Sequence, residues 1–310
     1  MSKVLDLLIV GGSAAGATAA IYARRRNLNF KVISLDFGGE VAKSGVIENY
    51  LGFLKIDGIE LSAKFKEHLK SVGAEAHLEW EVEEIKKHGN IFKTKTKKRG
   101  RTYNFFSKTV LLTTGATPKH LNIPGEKEFY AKGVSYCTVC DGPLFDGKIT
   151  VTIGGGNSAL ESAIMLSEIA KQHYLITTNP DMNGDGVLID KVKKLKNVQI
   201  IYNSQTAKIL GDSFVTGLDY KDKQSGKSKH LRADGIFIHI GLVPNSQMAF
   251  GVKKNKFGEI IVDSFCRTSL PGFFAAGDVT NIPYKQISIA VGQGTCSALA
   301  IVDYLNKLKS

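Results

Sequence analysis

Hydrophobic positions in this chain gather into short apolar runs that are followed by glycine and then by a helical pattern. Residues 5–10 (LDLLIV) form such a run, which ends at Gly11 and passes into a small-residue stretch over residues 17–26. A second run covers residues 30–35. A strand, a tight turn, a helix and a second strand in this order predict a βαβ unit with a parallel sheet.

The same succession returns later in the chain. It consists of a strand at 149–153, a helix from Leu160 and a strand at 174–177. Between the two units, a strand at 109–112 is followed by Pro118 and Pro124, which indicate an exit from the first domain. Residues 235–241 then read as a buried strand, Pro244 and Asn245 as the crossing back to the first domain, and residues 288–305 as an apolar helix.

The first glycine turn, Gly11 to Gly16 (GGSAAG), matches the dinucleotide-binding spacing GxGxxG except at its second glycine. Ser13 stands there, where the backbone approaches a pyrophosphate, and adds one small side chain. Asp36 follows the second strand, 20 residues after Gly16, and is placed to accept a hydrogen bond from a ribose. This combination predicts dinucleotide binding rather than a packing turn.

The second glycine turn, Gly154 to Ala159 (GGGNSA), has alanine in the last position, which is an accepted variant. The strand after it lacks the acid that binds the ribose of NAD and the arginines that bind the phosphate of NADP. It runs through Thr177, Thr178 and Asn179, and Asp181 comes only after Pro180. Two interpretations stay open: the nicotinamide nucleotide binds weakly, or the domain keeps the fold without this ligand.

Two cysteines, Cys137 and Cys140, are separated by two residues and followed by Asp141. This spacing lets both sulfurs meet at a helix N-terminus, where the dipole lowers a thiol pKa and a reversible disulfide can form. The same spacing is half of a zinc site, but Cys266 and Cys296 stand alone in the sequence and no histidine pair accompanies the motif. We therefore predict a redox-active disulfide and no metal, with a zinc half-site or an inert thiol pair as the alternatives.

Near the C-terminus, Asp278 follows a glycine at a predicted strand end, where it can accept hydrogen bonds from a sugar-alcohol chain. The alternative role for Asp278 is a helix cap. The helix N-terminus at Gln286 and Ile287 would stabilise negative charge on a reduced ring.

Composition narrows the class of protein. A chain of 310 residues favours two domains, and 43% hydrophobic with 23% charged residues is typical of a globular protein. The four cysteines are too few for a secreted disulfide framework, so we predict a cytoplasmic protein. The first apolar run is interrupted by Asp6 and is no signal peptide, and no apolar run approaches the length of a membrane span.

The net charge of +12 favours acidic partners. Much of this charge lies in a predicted exposed hairpin at 93–101 (KTKTKKRGR), and we expect its charges to be solvated. We exclude nucleic acid and membrane as partners.

The motifs GGSAAG, TTGATP, SYCTVCDG, GGGNSA and FAAGDV, in this order and spacing, resemble those of the low-molecular-weight thioredoxin reductases. The segments YCTVCDGPLFDGK and VTNIPYKQISIA also resemble the C-terminal reductase part of the flavoprotein subunit of alkyl hydroperoxide reductase. The resemblance covers essentially the whole chain. That flavoprotein carries a further N-terminal thioredoxin-like region, which we do not expect here because the sequence begins at the first strand.

The resemblance implies an α/β fold with two Rossmann-like (three-layer ββα) dinucleotide-binding domains, the second inserted in the first, and a homodimer. An FAD-binding domain would comprise residues 1–117 and 244–310, and a nicotinamide-type domain carrying the CxxC would comprise residues 118–243. The implied FAD-binding residues are Gly11, Gly12, Ser13, Ala14, Ala15, Gly16, Asp36, Gly39, Glu40, Asn49, Thr114, Gly115, Ala116, Gly277, Asp278, Gln286 and Ile287. Those implied for a nicotinamide nucleotide are Gly154, Gly156, Asn157, Ser158 and Ala159.

The resemblance also implies roles for the redox residues. Cys140 would be the thiol nearest the flavin, Cys137 would attack the partner disulfide and Asp141 would be the acid-base group. Family members usually have Gln at the position of Glu40, a difference that would shift flavin contacts or potential.

The electron donor does not follow from the resemblance. NADPH-using members carry His-Arg-Arg-x-x-x-Arg where this chain has Thr177-Thr178-Asn179-x-x-x-Asn183, and the Glu of NADH-using relatives is missing at Thr177. Similar losses occur in members reduced by ferredoxin, by a deazaflavin or by an unknown donor. The donor is therefore NADPH, NADH, or a non-nicotinamide donor such as an acidic ferredoxin or a deazaflavin.

Together these observations predict an FAD-dependent disulfide reductase that passes electrons through Cys137 and Cys140 to a thioredoxin-like or glutaredoxin-like protein. The alternatives are a dithiol oxidase that reduces oxygen and a non-catalytic flavin redox sensor.

Overall fold

A computed structural model of the protein describes residues 4–44 and 46–308. The ends of the predicted domains, residues 1–3 and 309–310, and Gly45 lie outside the described residues. The helices are α1 (Ala14–Arg25), α2 (Gly39–Lys43), α3 (Gly58–Ser71), α4 (Thr138–Asp141), α5 (Asn157–Ile169), α6 (Gly186–Lys193) and α7 (Ile287–Lys307), with a 3₁₀ turn at Gly142–Phe145. The strands are β1 (Leu5–Val10), β2 (Phe30–Ile33), β3 (Val46–Ile47), β4 (Ile56–Asp57), β5 (Ala76–His77), β6 (Glu81–His88), β7 (Ile91–Lys98), β8 (Arg101–Leu112), β9 (Ala116–Pro118), β10 (Val134–Ser135), β11 (Ile149–Ile153), β12 (Gln172–Ile176), β13 (Val198–Ile201), β14 (Ser204–Gly211), β15 (Val215–Asp222), β16 (Ser228–Arg232), β17 (Gly235–Ile238), β18 (Leu242–Pro244) and β19 (Phe273–Ala275).

The chain forms two compact units, and the second is inserted in the first. The first unit comprises Met1–Ser44, Glu48–Thr117 and Val243–Ser310, and the second comprises Gly45–Ile47 and Pro118–Leu242. Each unit carries its own parallel sheet and one of the two glycine turns. The predicted fold class, α/β with two Rossmann-like domains, is confirmed.

The sheet of the first unit is arranged around two neighbouring strands, β1 and β8. The strand order is β5-β2-β1-β8-β7-β6, with β1, β2 and β8 parallel to one another. β8 is long enough to pair with β7 in antiparallel fashion along residues 101–107 and with β19 in parallel along residues 110–112. β1 is buried on both faces, because Leu7 and Ile9 belong to one hydrophobic cluster, Leu8 belongs to another, and all three are fully buried.

The basic segment 93–101 does form a hairpin, and its turn residues Arg99 and Gly100 both have positive φ, of 48° and 78°. This backbone conformation suits the right-handed twist of a two-residue hairpin. The charges are more engaged than the sequence predicts, because Lys95 pairs with Glu83 at 2.8 Å and Arg99 pairs with Glu79 at 2.9 Å. Both basic side chains remain exposed to solvent, so the hairpin is exposed as predicted and carries two surface ion pairs in addition.

Helix α7 packs against α1 in the core of the first unit. The crossing is close at Gly294, where a Cβ would overlap the carbonyl oxygen of Ala15. By length and composition alone α7 could cross a membrane, with a mean hydropathy of 1.2, so the expectation that no segment reaches this length is wrong on that criterion. A core helix passes the same test, and α7 places Ala298, Ile301 and Leu305 in the core.

The second unit combines a parallel sheet with a smaller antiparallel one. The parallel strands follow the order β10-β17-β11-β12-β13, and β14, β15 and β16 form the antiparallel layer. The central strands are buried on both faces, as shown by Val151, Leu175 and Phe237, each without exposed surface. Helix α5 begins at the carboxyl end of β11, as in a Rossmann unit.

Candidate functional site

The first glycine turn joins β1 to α1 and is shaped by close backbone approach. Gly11 has φ of 120°, and a Cβ at Gly16 would overlap the carbonyl oxygen of Gly11. The Gly12 N–H donates to the Ser34 hydroxyl at 3.0 Å, and a Cβ on Gly12 would lie 3.2 Å from the carbonyl oxygen of Asp36. The turn therefore brings Asp36 beside the glycines, as the motif predicts.

Ser13 fits into this turn because its side chain has a partner inside the protein. Its hydroxyl donates to the carbonyl oxygen of Gly38 at 2.6 Å, and the Gly38 N–H donates to the Gly12 carbonyl oxygen at 3.1 Å. The two glycine loops of the first unit are thus tied together, and Gly39 lies beside Ser13.

The N-terminus of α1 suits an anion. This helix spans 12 residues, no side chain caps its first turn and no acid lies in that turn. Ala14 and Ala15 occupy the first helical positions, so small side chains surround the exposed end of the dipole. Such a helix end binds phosphate through its backbone N–H groups.

Two predicted cofactor residues that are far apart in sequence meet in the first unit. The amide nitrogen of Asn49 donates to the Gln286 amide oxygen at 3.4 Å, directly before the first residue of α7, Ile287. α7 has 21 residues and, like α1, lacks a side-chain cap and an acid in its first turn. Glu40 stands where the resembling reductases usually have Gln. Its carboxylate pairs with Lys43 at 2.9 Å, so the added negative charge is compensated.

Asp278 lies in the loop after β19 and is mostly enclosed. Burial raises the pKa of its carboxyl to about 6, the nearby Lys285 opposes the increase and Glu40 adds to it. The alternative role as a helix cap is wrong, because α7 begins at Ile287 and its N-cap is Gln286. The loop itself is fixed by the N–H of Gly277, which donates to the Gln293 side chain at 2.7 Å.

The predicted residues Thr114, Gly115 and Ala116 follow β8, and Asn245 holds this segment in place. The Thr114 hydroxyl donates to the Asn245 carbonyl oxygen at 2.5 Å, while the Asn245 amide donates back to the Thr114 carbonyl oxygen at 2.9 Å. The Asn245 N–H also donates to the Gly115 carbonyl oxygen at 3.0 Å. The Thr114 side chain is therefore engaged with the protein itself.

The second glycine turn has the geometry of an open nucleotide cradle. A Cβ at Gly154 would overlap the carbonyl oxygen of His239, whereas a Cβ at Gly156 would meet nothing within 4 Å. Helix α5 follows with Asn157, Ser158 and Ala159 in its first turn and no acid there. This cradle has room for a phosphate group.

The segment that follows β12 lacks, at Thr177, the acid or arginine that usually binds the ribose of NAD or the phosphate of NADP. Thr177 is buried at 3% exposure, and its hydroxyl accepts the Asn179 N–H at 3.3 Å. The Asn183 N–H donates to the Gly155 carbonyl oxygen at 2.7 Å, and Asp185 receives a hydrogen bond from the Asn157 amide at 3.0 Å. Asp181 shows no hydrogen bond among those described. These hydrogen bonds fix the loop against the second glycine turn. They bring no arginine and no ribose-binding acid to the position of Thr177.

Cys137 and Cys140 form a disulfide in the second unit. Cys137 is the N-cap of α4, and its sulfur accepts the Cys140 N–H at 3.2 Å. The predicted effect of a helix dipole needs correction, because α4 has only 4 residues. The local N–H of Cys140 therefore favours a thiolate at Cys137 after reduction, in place of a long helix.

Asp141 lies at the end of α4 with its carboxylate bound to Ser135. The Ser135 hydroxyl donates to Asp141 at 2.5 Å and accepts the Cys137 N–H at 3.0 Å. Burial raises the pKa of Asp141, and the hydrogen bond from Ser135 opposes that increase. A carboxyl group with a raised pKa close to a disulfide is suited to deliver a proton to a leaving thiolate.

Replacement of Ser135 by alanine is expected to move the pH profile of dithiol–disulfide exchange to higher pH. The lost hydrogen bond stabilises the ionised carboxylate, so its removal raises the pKa of Asp141 further. Rates of disulfide reduction measured from pH 4 to pH 9 test this. Asp141→Asn is the control, since it should remove that ionisation from the profile, and an unshifted Ser135→Ala profile would contradict the role of the Ser135 hydrogen bond.

Thr138, between the two cysteines, anchors α4 to the interior of the second unit. Its hydroxyl lies 2.6 Å from the Ser162 hydroxyl and 2.8 Å from His239 Nε2, and Ser162 in turn lies 2.7 Å from the Thr152 hydroxyl. Burial lowers the pKa of His239 to about 4, so the ring is neutral at pH 7. This buried network fixes the position of the disulfide.

Thr138→Val is expected to destabilise the protein by about 1–3 kcal/mol. Valine has nearly the shape of threonine but lacks the hydroxyl, so the buried Ser162 and His239 side chains each lose a hydrogen-bond partner. Urea unfolding of the full-length protein, followed by circular dichroism, measures the change in its free energy of unfolding. Val139→Thr serves as the matched control: Val139 is 50% exposed, and surface changes of this kind stay within about 0.5 kcal/mol. Equal stabilities of the two variants would rule out the anchoring role.

The remaining cysteines, Cys266 and Cys296, stand alone in the sequence but lie near each other in the fold, and both are free thiols. Both line one cavity of about 350 Å³ in the first unit. Across residues 4–44 and 46–308, no group of three or more His, Cys, Asp and Glu side chains is arranged to hold a metal ion.

Residues 5–294 match the family described as Pyridine nucleotide-disulphide oxidoreductase. The chain belongs to this family. It is 42% identical over 301 residues to the NADH dehydrogenase of Bacillus subtilis (strain 168), covering 97% of this chain and 58% of that protein. It is 41% identical over 315 residues to an alkyl hydroperoxide reductase protein of Escherichia coli (strain K12), covering 98% of this chain and 59% of that protein.

A solved structure of similar extent is thioredoxin reductase from Streptococcus pyogenes MGAS5005. It has a TM-score of 0.90 and 32% identity, and the match covers 99% of this chain and 100% of that one. The resemblance to low-molecular-weight thioredoxin reductases is thereby confirmed, and so is the resemblance to the alkyl hydroperoxide reductase flavoprotein. The chain spans somewhat less than three fifths of the length of these curated relatives.

The disulfide between Cys137 and Cys140 agrees with membership of this family. Sequence reasoning missed several residues that hold the site: Ser34, Ser135, Thr138, His239 and Asn245. Ser135 and Thr138 carried a local signal, because Ser135 lies two residues before Cys137 and Thr138 lies between the two cysteines.

Proposed function

We propose that this protein is an FAD-dependent disulfide reductase of the thioredoxin reductase type, active through Cys137 and Cys140. The observation that carries the proposal is the Cys137–Cys140 disulfide beside a carboxyl group, Asp141, whose pKa is raised by burial. The family match supports it. The substrate would be the disulfide of a thioredoxin-like or glutaredoxin-like protein.

The chemistry of the reduced cysteines follows from their surroundings. After reduction, the Cys137 thiolate, stabilised by the Cys140 N–H, attacks one sulfur of the partner disulfide and forms a mixed disulfide. Cys140 then attacks the Cys137 sulfur, which restores the internal disulfide and releases the partner as a dithiol. Asp141 supplies a proton to the leaving sulfur. Each partner disulfide takes up two electrons and two protons.

The first unit fits FAD by its own geometry. Gly11, Gly12 and the uncapped start of α1 form a phosphate cradle, and Asp36 lies beside it for a ribose. Asp278, held with a raised pKa, would accept hydrogen bonds from the sugar-alcohol chain, and the start of α7 would stabilise negative charge. FAD would supply a two-electron carrier between the donor and the disulfide.

The donor we propose is not fixed to NADPH. The cradle at Gly154 to Ala159 has room for a phosphate, but the buried Thr177 replaces the side chains that read NAD or NADP. NADPH, NADH, and a non-nicotinamide donor such as an acidic ferredoxin or a deazaflavin are the candidates. The net charge of +12 suits an acidic protein donor.

Anaerobic titration of the FAD-loaded protein with NADPH, NADH and reduced ferredoxin in turn identifies the donor by loss of the flavin absorbance. We expect weak bleaching by either nicotinamide, with half-saturation well above the micromolar range. Full bleaching by micromolar NADPH would show that the contacts near Thr177 do not limit binding. If none of these three donors and no reduced deazaflavin bleaches the flavin, although dithionite does, the result would contradict the reductase function.

A second candidate is a dithiol oxidase that runs the same exchange in reverse and reduces oxygen. The lack of nicotinamide-reading side chains at Thr177 favours it, because such an enzyme needs no nicotinamide. Hydrogen peroxide formed from a small dithiol without added nicotinamide would identify this activity. A flavin redox sensor without turnover is the third candidate, and the absence of any steady-state reduction would distinguish it.

We also propose a homodimer and a cytoplasmic location, both from family membership. Sedimentation of the FAD-loaded protein tests the dimer. A monomer at micromolar concentration would contradict it.

A further inference from the structure

A pair of thiols outside the CxxC lies against the loop that carries Asp278. Cys266 belongs to the segment after β18 and before β19, and Cys296 lies on α7. The Cys266 thiol donates to the Gln293 carbonyl oxygen at 3.6 Å, and the Cys296 thiol donates to the Ser264 carbonyl oxygen at 3.3 Å. Each sulfur therefore donates to a backbone carbonyl two or three positions before the other cysteine.

The two thiols differ in environment. Cys266 is 2% exposed, and burial together with the adjacent Cys296 thiol raises its pKa to about 12. Cys296 is only partly buried. Because a reagent from solvent can reach Cys296 but not the buried Cys266, Cys296 is the sulfur that reacts first.

A cavity beside the pair gives a small reagent room. It has a volume of about 350 Å³ and is lined by both cysteines together with Val262, Ile282 and Pro283. Cys266 has φ of 60°, a left-handed conformation that costs a non-glycine residue about 1–3 kcal/mol. Strain of this kind persists where the surrounding structure fixes it, and it is concentrated at functional positions.

The thiol pair is connected to the predicted flavin loop through two contacts. The Gln293 carbonyl oxygen accepts the Cys266 thiol, while its side chain accepts the Gly277 N–H at 2.7 Å. The Cys266 carbonyl oxygen accepts the Ala275 N–H at 3.1 Å. A movement of either cysteine would therefore be transmitted to the backbone immediately before Asp278.

We propose that Cys296 and Cys266 form a second thiol–disulfide exchange site, which takes small organic disulfides and, when oxidised, weakens FAD binding through Gln293. The Cys296 thiolate attacks one sulfur of R–S–S–R, forms a mixed disulfide and releases RS⁻, which takes up the proton that Cys296 lost. Cys266 then attacks the Cys296 sulfur, gives its proton to solvent and releases the second RS⁻, which is protonated in turn. Two cysteines are oxidised to a disulfide and one R–S–S–R is reduced to two RSH.

The high pKa of Cys266 makes its attack on the Cys296 sulfur the slower step, because only a small fraction of the Cys266 side chain is thiolate at neutral pH. The adduct on Cys296 should therefore accumulate before the internal disulfide closes. This order is the signature that separates the proposed site from two unrelated surface thiols.

The experiment uses the full chain loaded with FAD, with Cys137→Ser and Cys140→Ser so that only the second pair reacts. The protein is treated with bis(2-hydroxyethyl) disulfide and followed by intact mass and peptide mapping. We expect first a single mercaptoethanol adduct on Cys296, and then a loss of two hydrogens with a linked Cys266–Cys296 peptide. Added Cys266→Ser should stop at the adduct, and added Cys296→Ser should not react.

The link to the flavin loop is measured on the same samples by FAD fluorescence. Closure of the second disulfide should raise the FAD dissociation constant about fivefold or more, and dithiothreitol should reverse the change. A stable adduct without closure, first reaction at Cys266, links only between molecules, or an unchanged FAD affinity after closure would each overturn the proposal. The affinity measurement rests on the proposed FAD binding, whereas the mass measurements do not, so a protein that fails to bind FAD still reports on the thiol pair.

Discussion

Cys140→Ser is expected to lower the turnover of protein disulfides by about 10³-fold or more while leaving FAD bound, because a mixed disulfide on Cys137 then has no internal thiol to resolve it. The partner protein should remain attached to Cys137 and be visible as a covalent complex on non-reducing gels. Steady-state reduction of a thioredoxin-like protein, with the visible spectrum as the measure of bound flavin, checks both parts.

Cys137→Ser is the informative comparison. It should also abolish turnover, but it should form no such covalent complex, because Cys137 is the sulfur that attacks the partner. Alkylation adds a test of the local geometry. Cys137 in the Cys140→Ser variant should react faster with iodoacetamide at pH 7 than Cys140 in the Cys137→Ser variant, because the Cys137 sulfur accepts the N–H of residue 140. A trapped complex formed by Cys137→Ser and absent from Cys140→Ser would reverse the assigned roles.

Asp278→Asn is expected to affect cofactor affinity and stability in opposite directions. Loss of a charged hydrogen-bond acceptor should raise the FAD dissociation constant about 10–100-fold. The FAD-free protein should in contrast become more stable at pH 8 by about 1–2 kcal/mol, because the folded protein no longer encloses an ionised carboxylate. Fluorescence titration with FAD and urea unfolding measure the two effects.

The sign of the stability effect follows from the pKa of Asp278. The folded-state pKa is raised from 3.8 to about 6. The folded protein therefore holds the proton more tightly than the unfolded chain between these values, and stability falls as the pH rises through them. The gain from Asp278→Asn should be present at pH 8 and absent at pH 3.5.

Asp303→Asn, at an exposed position of α7, is the matched control and should leave both quantities nearly unchanged. An equal gain at pH 3.5 and pH 8, or an unchanged FAD affinity for Asp278→Asn, would contradict the assigned role of Asp278.

Local spacing explains why much of this architecture can be predicted from the sequence. The glycine turns, the basic hairpin and the CxxC are each encoded within a few neighbouring residues, where turn chemistry and periodicity act directly. Even there, α1 begins at Ala14 whereas the pattern placed the helix from residue 17, because small residues after Gly12 can continue the helix toward the turn.

Contacts between distant positions could not be predicted in this way. Asn49 and Gln286 are 237 positions apart, and Thr114 and Asn245 are 131 apart. Cys266 and Cys296 stand alone in the sequence, and only the packing of α7 against the strand before Asp278 brings them to one cavity. The buried bond between Thr138 and His239 likewise depends on how α4 is seated on the parallel sheet.

The most direct measurement of the central proposal is an anaerobic dithionite titration of the FAD-loaded protein, with electron equivalents counted per flavin. A flavin and a disulfide that exchange electrons are two two-electron couples, so the protein should take up twice as many equivalents as its Cys137→Ser, Cys140→Ser variant. Equal uptake by the two proteins would show that the Cys137–Cys140 disulfide does not accept electrons from the flavin.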